Sequence, residues 1–195
     1  MKAKQQEKTK RQAIREAAAR LFRDKGYSAT SMRDLARAVQ LKAPSLYNHI
    51  KSKEEILQYI CFDNARRFLE GMREVETMDS SAADKVRELL RLHIRIATED
   101  VTSVTAFNDE WRHLSEPHLT EFKALRRDYE NRFRAIIEAG IRAGEFKELD
   151  PTIMLYTLFS SIRWLYDWYR EDKTDRLPQL EREIIRIVME GVERS

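Results

Sequence analysis

The chain has 195 residues, 42% hydrophobic and 35% charged, with only five glycines and four prolines, which excludes a wholly disordered chain or a loop-rich scaffold and favours long helices. One cysteine, Cys61, excludes an internal disulfide framework and suits a reducing cytosol; no apolar run reaches transmembrane length, so the expectation is a cytoplasmic protein with no membrane partner. The net charge of +3 hides an asymmetry, because residues 1–53 hold 14 Lys and Arg against 4 Asp and Glu, and the other 142 residues hold 22 against 29. The positive end fits a polyanion such as DNA, whose affinity for proteins comes largely from phosphate neutralisation. By charge alone, a solvated basic face with a basic arm at residues 1–8 fits equally.

Taken in chain order, residues 9–25 place Ile14, Ala17, Ala18, Leu21 and Phe22 at helical spacing, and Gly26 stands where a helix commonly stops. Residues 30–39 read as a short second helix, with Ser31 as its cap and Asp34 three residues on. After Val39-Gln40-Leu41, a third short helix opens with Pro44 in its first turn and carries Ser45, Tyr47, Asn48 and His49. Two helices this short, this close, make a helix-turn-helix whose second member enters a major groove. Leu35, Ala36, Val39, Leu41, Leu46 and Ile50 meet the stripe of the first helix, which frees the polar face of the third.

Ser52 and Glu55 form a capping box that starts a linking helix running through Ile56, Leu57, Ile60, Ala65, Phe68, Leu69, Met72 and Val75. Residues 77–81 break it. Further helices are predicted around Val86 to Ala97, from about Val101 to Leu114, and from Ser115-Glu116-Pro117 to Gly144. Asp150-Pro151 then starts an unusually apolar helix over about 151–170, and a last helix covers about 177–193. One of these two final helices needs a partner surface outside its own subunit.

Three segments carry a resemblance: residues 18–26 (Ala-Ala-Arg-Leu-Phe-Arg-Asp-Lys-Gly), 27–36 (Tyr-Ser-Ala-Thr-Ser-Met-Arg-Asp-Leu-Ala) and 45–54 (Ser-Leu-Tyr-Asn-His-Ile-Lys-Ser-Lys-Glu). With them the chain resembles TetR-type transcriptional regulators, in motif over roughly residues 9–57 and in architecture throughout. The resemblance implies an all-α fold: an N-terminal three-helix helix-turn-helix domain at 1–52, joined by the linking helix to a C-terminal ligand-binding and dimerisation bundle at 53–195. It implies a homodimer that binds a palindromic DNA operator as a repressor and is released by a small-molecule effector. No cofactor is implied. This chain departs from the family pattern at Gln40, where a glycine is usual in the turn, and at Lys42, where a serine usually caps the reading helix. A left-handed non-glycine costs about 1–2 kcal/mol, and lysine accepts no capping bond, so either the turn geometry differs slightly or Lys42 is placed there for a phosphate or a guanine edge, the second being the favoured reading.

Lys42, Ala43, Ser45 and Asn48 are the candidates for base-edge contacts, since N-terminal side chains of such helices reach furthest into the groove. Tyr47, His49 and Lys53 resemble family positions that meet phosphates. Thr30, Ser31 and Arg33 approach another phosphate near a helix N-terminus. Packing in the core is the alternative for Tyr47 and His49.

In the body, the effector-binding candidates are the rings of His93, Phe107, Trp111, Tyr129, Phe133, Phe159, Trp164 and Trp168, with Arg126 and Arg163; ordinary core or dimer interface is the alternative for each ring. Residues 162–169 (Ile-Arg-Trp-Leu-Tyr-Asp-Trp-Tyr) resemble a motif of the regulators that respond to acyl-coenzyme A thioesters, which show asparagine where this chain has Arg163. Arg126, Arg127, Arg132 and Arg134 suit the phosphates of such a ligand, or form exposed salt bridges with Glu130 or Glu138. A multidrug-efflux repressor binding planar cations and an effector-less DNA-binding or interaction module are the rival readings. Enzyme chemistry finds little support and ranks last: the four histidines form no His-Glu-x-x-His pattern, and no glycine-rich phosphate loop follows a strand. Asp109 and His113, four apart, with His93 make the one conceivable metal set, and no metal is expected.

Overall fold

In the computed structural model, residues 2–169 and 176–193 are described, without the side chains of residues 2–9 and Asp167. The basic arm at residues 1–8 lies outside the described side chains, as does the end of the predicted 151–170 helix. Helices follow as α1 (Lys2–Lys25), α2 (Met32–Ala38), α3 (Ala43–Tyr47), α4 (Lys53–Glu76), α5 (Ala82–Glu99) and α6 (Val101–Glu110). After a 3-10 turn (Trp111–His113) come α7 (His118–Arg142), α8 (Pro151–Arg163), α9 (Leu165–Trp168) and α10 (Leu177–Val192). The fold is all-α, and among the described residues the only strand-like feature is one bridge between Phe146 and Glu193.

The chain divides into two compact units, residues 1–64 with 102–123, and residues 65–101 with 124–195. In the first, α1 buries Ile14, Ala17, Ala18 and Phe22, the short helices contribute Leu35, Ala36 and Leu46, and the turn after α3 contributes Ile50, all nearly inaccessible. Val39 and Leu41 are half-buried. Ser31 caps α2 through a full capping box with Asp34, as its spacing predicts. At the start of α4, Ser52 Oγ accepts from the Glu55 amide at 3.1 Å. The Glu55 carboxylate reaches one residue further back than a standard box, accepting from the Lys51 amide at 2.7 Å.

The turn between α2 and α3 resolves the question posed by Gln40. Its φ is +54°, in the left-handed region. The Gln40 amide donates to the Arg37 carbonyl and the Leu41 amide to the Ala36 carbonyl, the bond pair of a Schellman motif with Gln40 at the position that favours glycine. The chain keeps the turn geometry and bears the strain, because Leu35 and Leu46, both fully buried, fix the two helices on either side. Gln40→Gly is therefore expected to raise the unfolding free energy by about 1 kcal/mol, the left-handed penalty less the added freedom of the unfolded glycine. Urea denaturation midpoints check it; an unchanged or lowered midpoint contradicts the account.

In the second unit, α5 packs on α8, α9 and α10, and α10 also on α8. Asp150 caps α8, its Oδ1 accepting from the amides of Thr152 and Ile153 at 2.8 and 2.9 Å. The helix predicted as continuous through this stretch breaks at Trp164, whose indole Nε1 donates to the Ser161 carbonyl at 2.7 Å. The indole thus partners a carbonyl near the interruption. Gly140 admits Phe146 against α7: a Cβ there would lie 2.3 Å from the Phe146 ring.

Candidate functional site

Leu46 and Ile50 anchor α3 by its apolar side, and the opposite side stays open. Lys42 and Asn48 are exposed and Tyr47 is 54% exposed, while Ala43, Ser45 and His49 are half-buried. Lys42 stands at the N-cap with extended backbone and makes no capping bond with its side chain, so its ammonium is not used to close the helix start. His49 Nδ1 is sealed from solvent without a hydrogen-bond partner. Arg33 and Ser31 are exposed on α2, Ser31 being engaged with Asp34 at 2.6 Å. That bond, with a second from the Ser31 amide, holds the Asp34 carboxyl below the ordinary carboxylate range.

Thr30 departs from its expected role. It is 1% exposed, and its hydroxyl donates to the Gly26 carbonyl at 2.9 Å, so it packs the turn after α1 instead of presenting a side chain to a phosphate. Lys53 is likewise engaged at home. Its Nζ donates to the carbonyls of Tyr27 (2.8 Å), Thr30 (3.0 Å) and Ser28 (3.5 Å) and stands 4.2 Å from the centre of the Tyr27 ring. All three ammonium protons thus have oxygen partners, and a phosphate would have to displace one.

The effector candidates do not form one group. His93, Tyr129, Phe133 and Phe159 converge in the second unit, joined by Phe68 of α4. The His93 ring lies tilted 4.7 Å from Phe68 and 5.2 Å from Phe159, and Phe133 meets Phe159 edge-on at 5.5 Å. At the centre of this knot His93 Nε2 and the Tyr129 hydroxyl share a hydrogen bond of 2.8 Å. Burial drives the histidine pKa from 6.5 down to about 3, so the ring is neutral at pH 7. Burial also pushes the Tyr129 phenol upward.

Phe107 and Trp111 belong to the first unit instead, each against Phe122. Trp164 and Trp168, both 42% exposed, pair with each other at 5.4 Å, and Arg163 is exposed beside them. The break at Trp164 removes this run from the helical stripe that Leu155, Leu158 and Ile162 carry inward. Arg126 lies 3.8 Å from Glu130. Arg132 binds the Glu76 carboxylate and reaches Asp128 at 3.4 Å, which holds the Glu76 carboxyl low. Arg134 donates to Asn131. Arg126 thus stands beside the Glu130 that the salt-bridge alternative named, whereas Arg132 takes Glu76 and Asp128 instead of Glu130 or Glu138. His93 and His113 fall in different units, and no trio of potential metal ligands occurs among the described residues.

Sequence reasoning missed Phe68 as a member of the knot, and Tyr27 and His113 as partners. Nothing local signals a pair 86 positions apart in the chain, whereas Phe68 already stood on the apolar stripe of α4.

The sequence matches the model of the bacterial regulatory proteins of the tetR family over residues 14–60 and that of the tetracyclin repressor-like C-terminal domain over residues 79–192. The chain belongs to the TetR family of transcriptional regulators. The HTH-type transcriptional repressor KstR2 of Rhodococcus jostii (strain RHA1) is 24% identical over 189 residues, spanning 94% of this chain and 91% of that one. The structure of the ketosteroid transcriptional regulator KstR2 of Mycobacterium tuberculosis superposes with a TM-score of 0.87 at 21% identity, covering 95% of both chains. AibR in complex with isovaleryl coenzyme A and operator DNA superposes with a TM-score of 0.77 at 24% identity, covering 91% of this chain and 97% of that one. No helix among the described residues is long and apolar enough to cross a membrane.

Proposed function

We propose that the chain is a ligand-responsive repressor that binds a palindromic operator as a homodimer and is released by an acyl-coenzyme A thioester. The observation that carries the DNA half of this reading is the open face of α3 and its caps, where Lys42, Tyr47 and Asn48 stand exposed while Leu46 and, in the following turn, Ile50 are buried behind them. Lys42, Ala43, Ser45 and Asn48 read base edges. Tyr47, His49, Ser31 and Arg33 contact the backbone, and Lys53 contributes its charge from the start of α4. The DNA-binding domain is residues 1–52 and the effector-binding and dimerisation domain 53–195.

The ligand half rests on the family likeness to AibR, whose complex holds isovaleryl coenzyme A, and on the aromatic knot around His93. The effector acts through its higher affinity for the DNA-free form, since a ligand shifts an equilibrium only by that difference. Exposed apolar side chains on α8 to α10, Ile153, Tyr156, Trp164, Trp168 and Ile187, supply the face for a second copy. With Trp164 and Trp168 on that face, the pocket is left to His93, Tyr129, Phe133 and Phe159.

The test is a duplex selected from a random library by the purified chain, then titrated with acyl-CoA esters from isovaleryl upward. Release by one thioester supports the reading. Release by ethidium with no response to thioesters replaces the effector with a planar cation, and no release by either leaves DNA binding alone. In the same assay Asn48→Ala is expected to relax base preference by about 1–3 kcal/mol at one position, whereas Tyr47→Ala weakens all sequences alike. Identical binding by both variants contradicts the groove assignment.

A further inference from the structure

The reading head is tied to a segment that no local motif connects with it. Tyr27, buried in the turn after α1, stacks on the His113 ring of the 3-10 turn with centroids 5.2 Å apart and planes at 23°. The same Tyr27 ring faces the Lys53 ammonium at 4.2 Å, and its carbonyl accepts from Lys53 at 2.8 Å. His113 Nε2 lies 3.3 Å from Glu110 Oε2. The other oxygen of that carboxylate stands 3.7 Å from where a Cβ on Gly26 would sit. Two further bonds run alongside: Arg23 to the Thr102 hydroxyl at 3.4 Å, and the Ser115 amide to the Glu54 carboxylate at 3.2 Å. Residues 102–115 therefore touch the end of α1, the turn after it and the start of α4.

We propose that Tyr27 and His113 are positioning residues of the DNA-reading head, their stack being the joint through which residues 102–115 set the angle of α1, α2 and the start of α4. This rests on the DNA-binding reading above. The His113 side chain is 43% exposed, so it adds little to the core; its ring face lies on Tyr27 and its Nε2 faces Glu110. Tyr27 in turn orients Lys53, whose three carbonyl bonds close the gap between α4 and the turn before α2. A shift of the 3-10 turn reaches the reading helix by this route, without any contact between His113 and DNA.

The test uses the full-length chain and the duplex that the wild type selects from a random library. His113→Ala is expected to weaken binding about tenfold with little change in Tm, and His113→Phe, which keeps a ring on Tyr27, to restore it to within about twofold. Tyr27→Leu combined with His113→Ala should be no weaker than the worse single variant, as members of one joint are not additive. Independently of DNA, the His113 ring protons should carry a ring-current shift that Tyr27→Leu abolishes. Unchanged affinity in His113→Ala, a His113→Phe as weak as alanine, losses that multiply in the double variant, or no ring-current shift would each overturn the joint while leaving DNA binding intact. A wild type that selects no duplex at all overturns the DNA reading, and the joint with it.

Discussion

Ile153→Asp together with Ile187→Asp is expected to yield a folded monomer whose operator affinity falls by about 10²–10⁴-fold, the range that linking two binding events confers. The two isoleucines are 69% and 67% exposed in the single chain, so replacing them removes no core contact. Surface changes of this kind stay within about 0.5 kcal/mol of neutral for the isolated fold. In a symmetric dimer each substitution appears twice, so four carboxylates would enter the proposed interface beside Tyr156, Trp164 and Trp168. Sedimentation of the purified variant at micromolar concentration reads the assembly, circular dichroism the fold, and titration of the selected duplex the affinity. A variant that still sediments as a dimer would place the interface elsewhere.

The second large effect is acid lability centred on His93. Its folded pKa of about 3 lies well below the ordinary 6.5 because burial disfavours the imidazolium. Between those values the unfolded chain holds a proton that the folded chain refuses, so stability is fully present above pH 6.5 and falls as the pH drops toward 3. The slope is about 1.4 kcal/mol per pH unit, and the full window approaches 5 kcal/mol, comparable to the whole stability of a typical domain. The depressed carboxyls of Asp34, Glu54 and Glu76 lose their contributions only below about pH 4.5. Urea unfolding at pH 6.5 and 4.5 therefore isolates the histidine, with an expected loss of about 2 kcal/mol. His93→Leu with Tyr129→Phe, which removes both partners of the buried bond, should flatten that dependence. Equal acid sensitivity in the double variant would assign it to other groups.

The knot's composition also sets a condition on the proposed effector. Phe68, His93, Tyr129, Phe133 and Phe159 already satisfy one another by ring contacts and one hydrogen bond. A ligand among them must replace those contacts with its own, and any polar group it brings to His93 or Tyr129 must restore the bond it displaces.

Features that rest on neighbours in the chain are legible in the amino-acid order. Helix starts at Ser31, Ser52 and Asp150 depend on side chains meeting amides two to four residues away. The pairing of α2 with α3 depends on the four residues between them, Val39 to Lys42. Apolar spacing reveals the inward sides of α1, α4 and α7 for the same reason, since 3.6 residues per turn puts i, i+3 and i+4 on one side. Gln40 is recognisable as an exception, but its conformation follows from the packing on both sides of the turn.

Partnerships between distant residues are decided only by the tertiary structure. Periodicity says that His93, Tyr129, Phe159 and Trp168 ride on helices; it does not say that three of them meet and the fourth turns outward past a break at Trp164. Lys53 and Thr30 illustrate the same limit at the head, where an expected phosphate lysine closes on three carbonyls and an expected surface threonine is sealed inside. The amino-acid order by itself determines the helices, their caps and the reading motif, because those energies are local. Which rings, charges and hydroxyls find one another depends on how whole helices dock, and that is settled by burial summed over many residues, a quantity no short window contains.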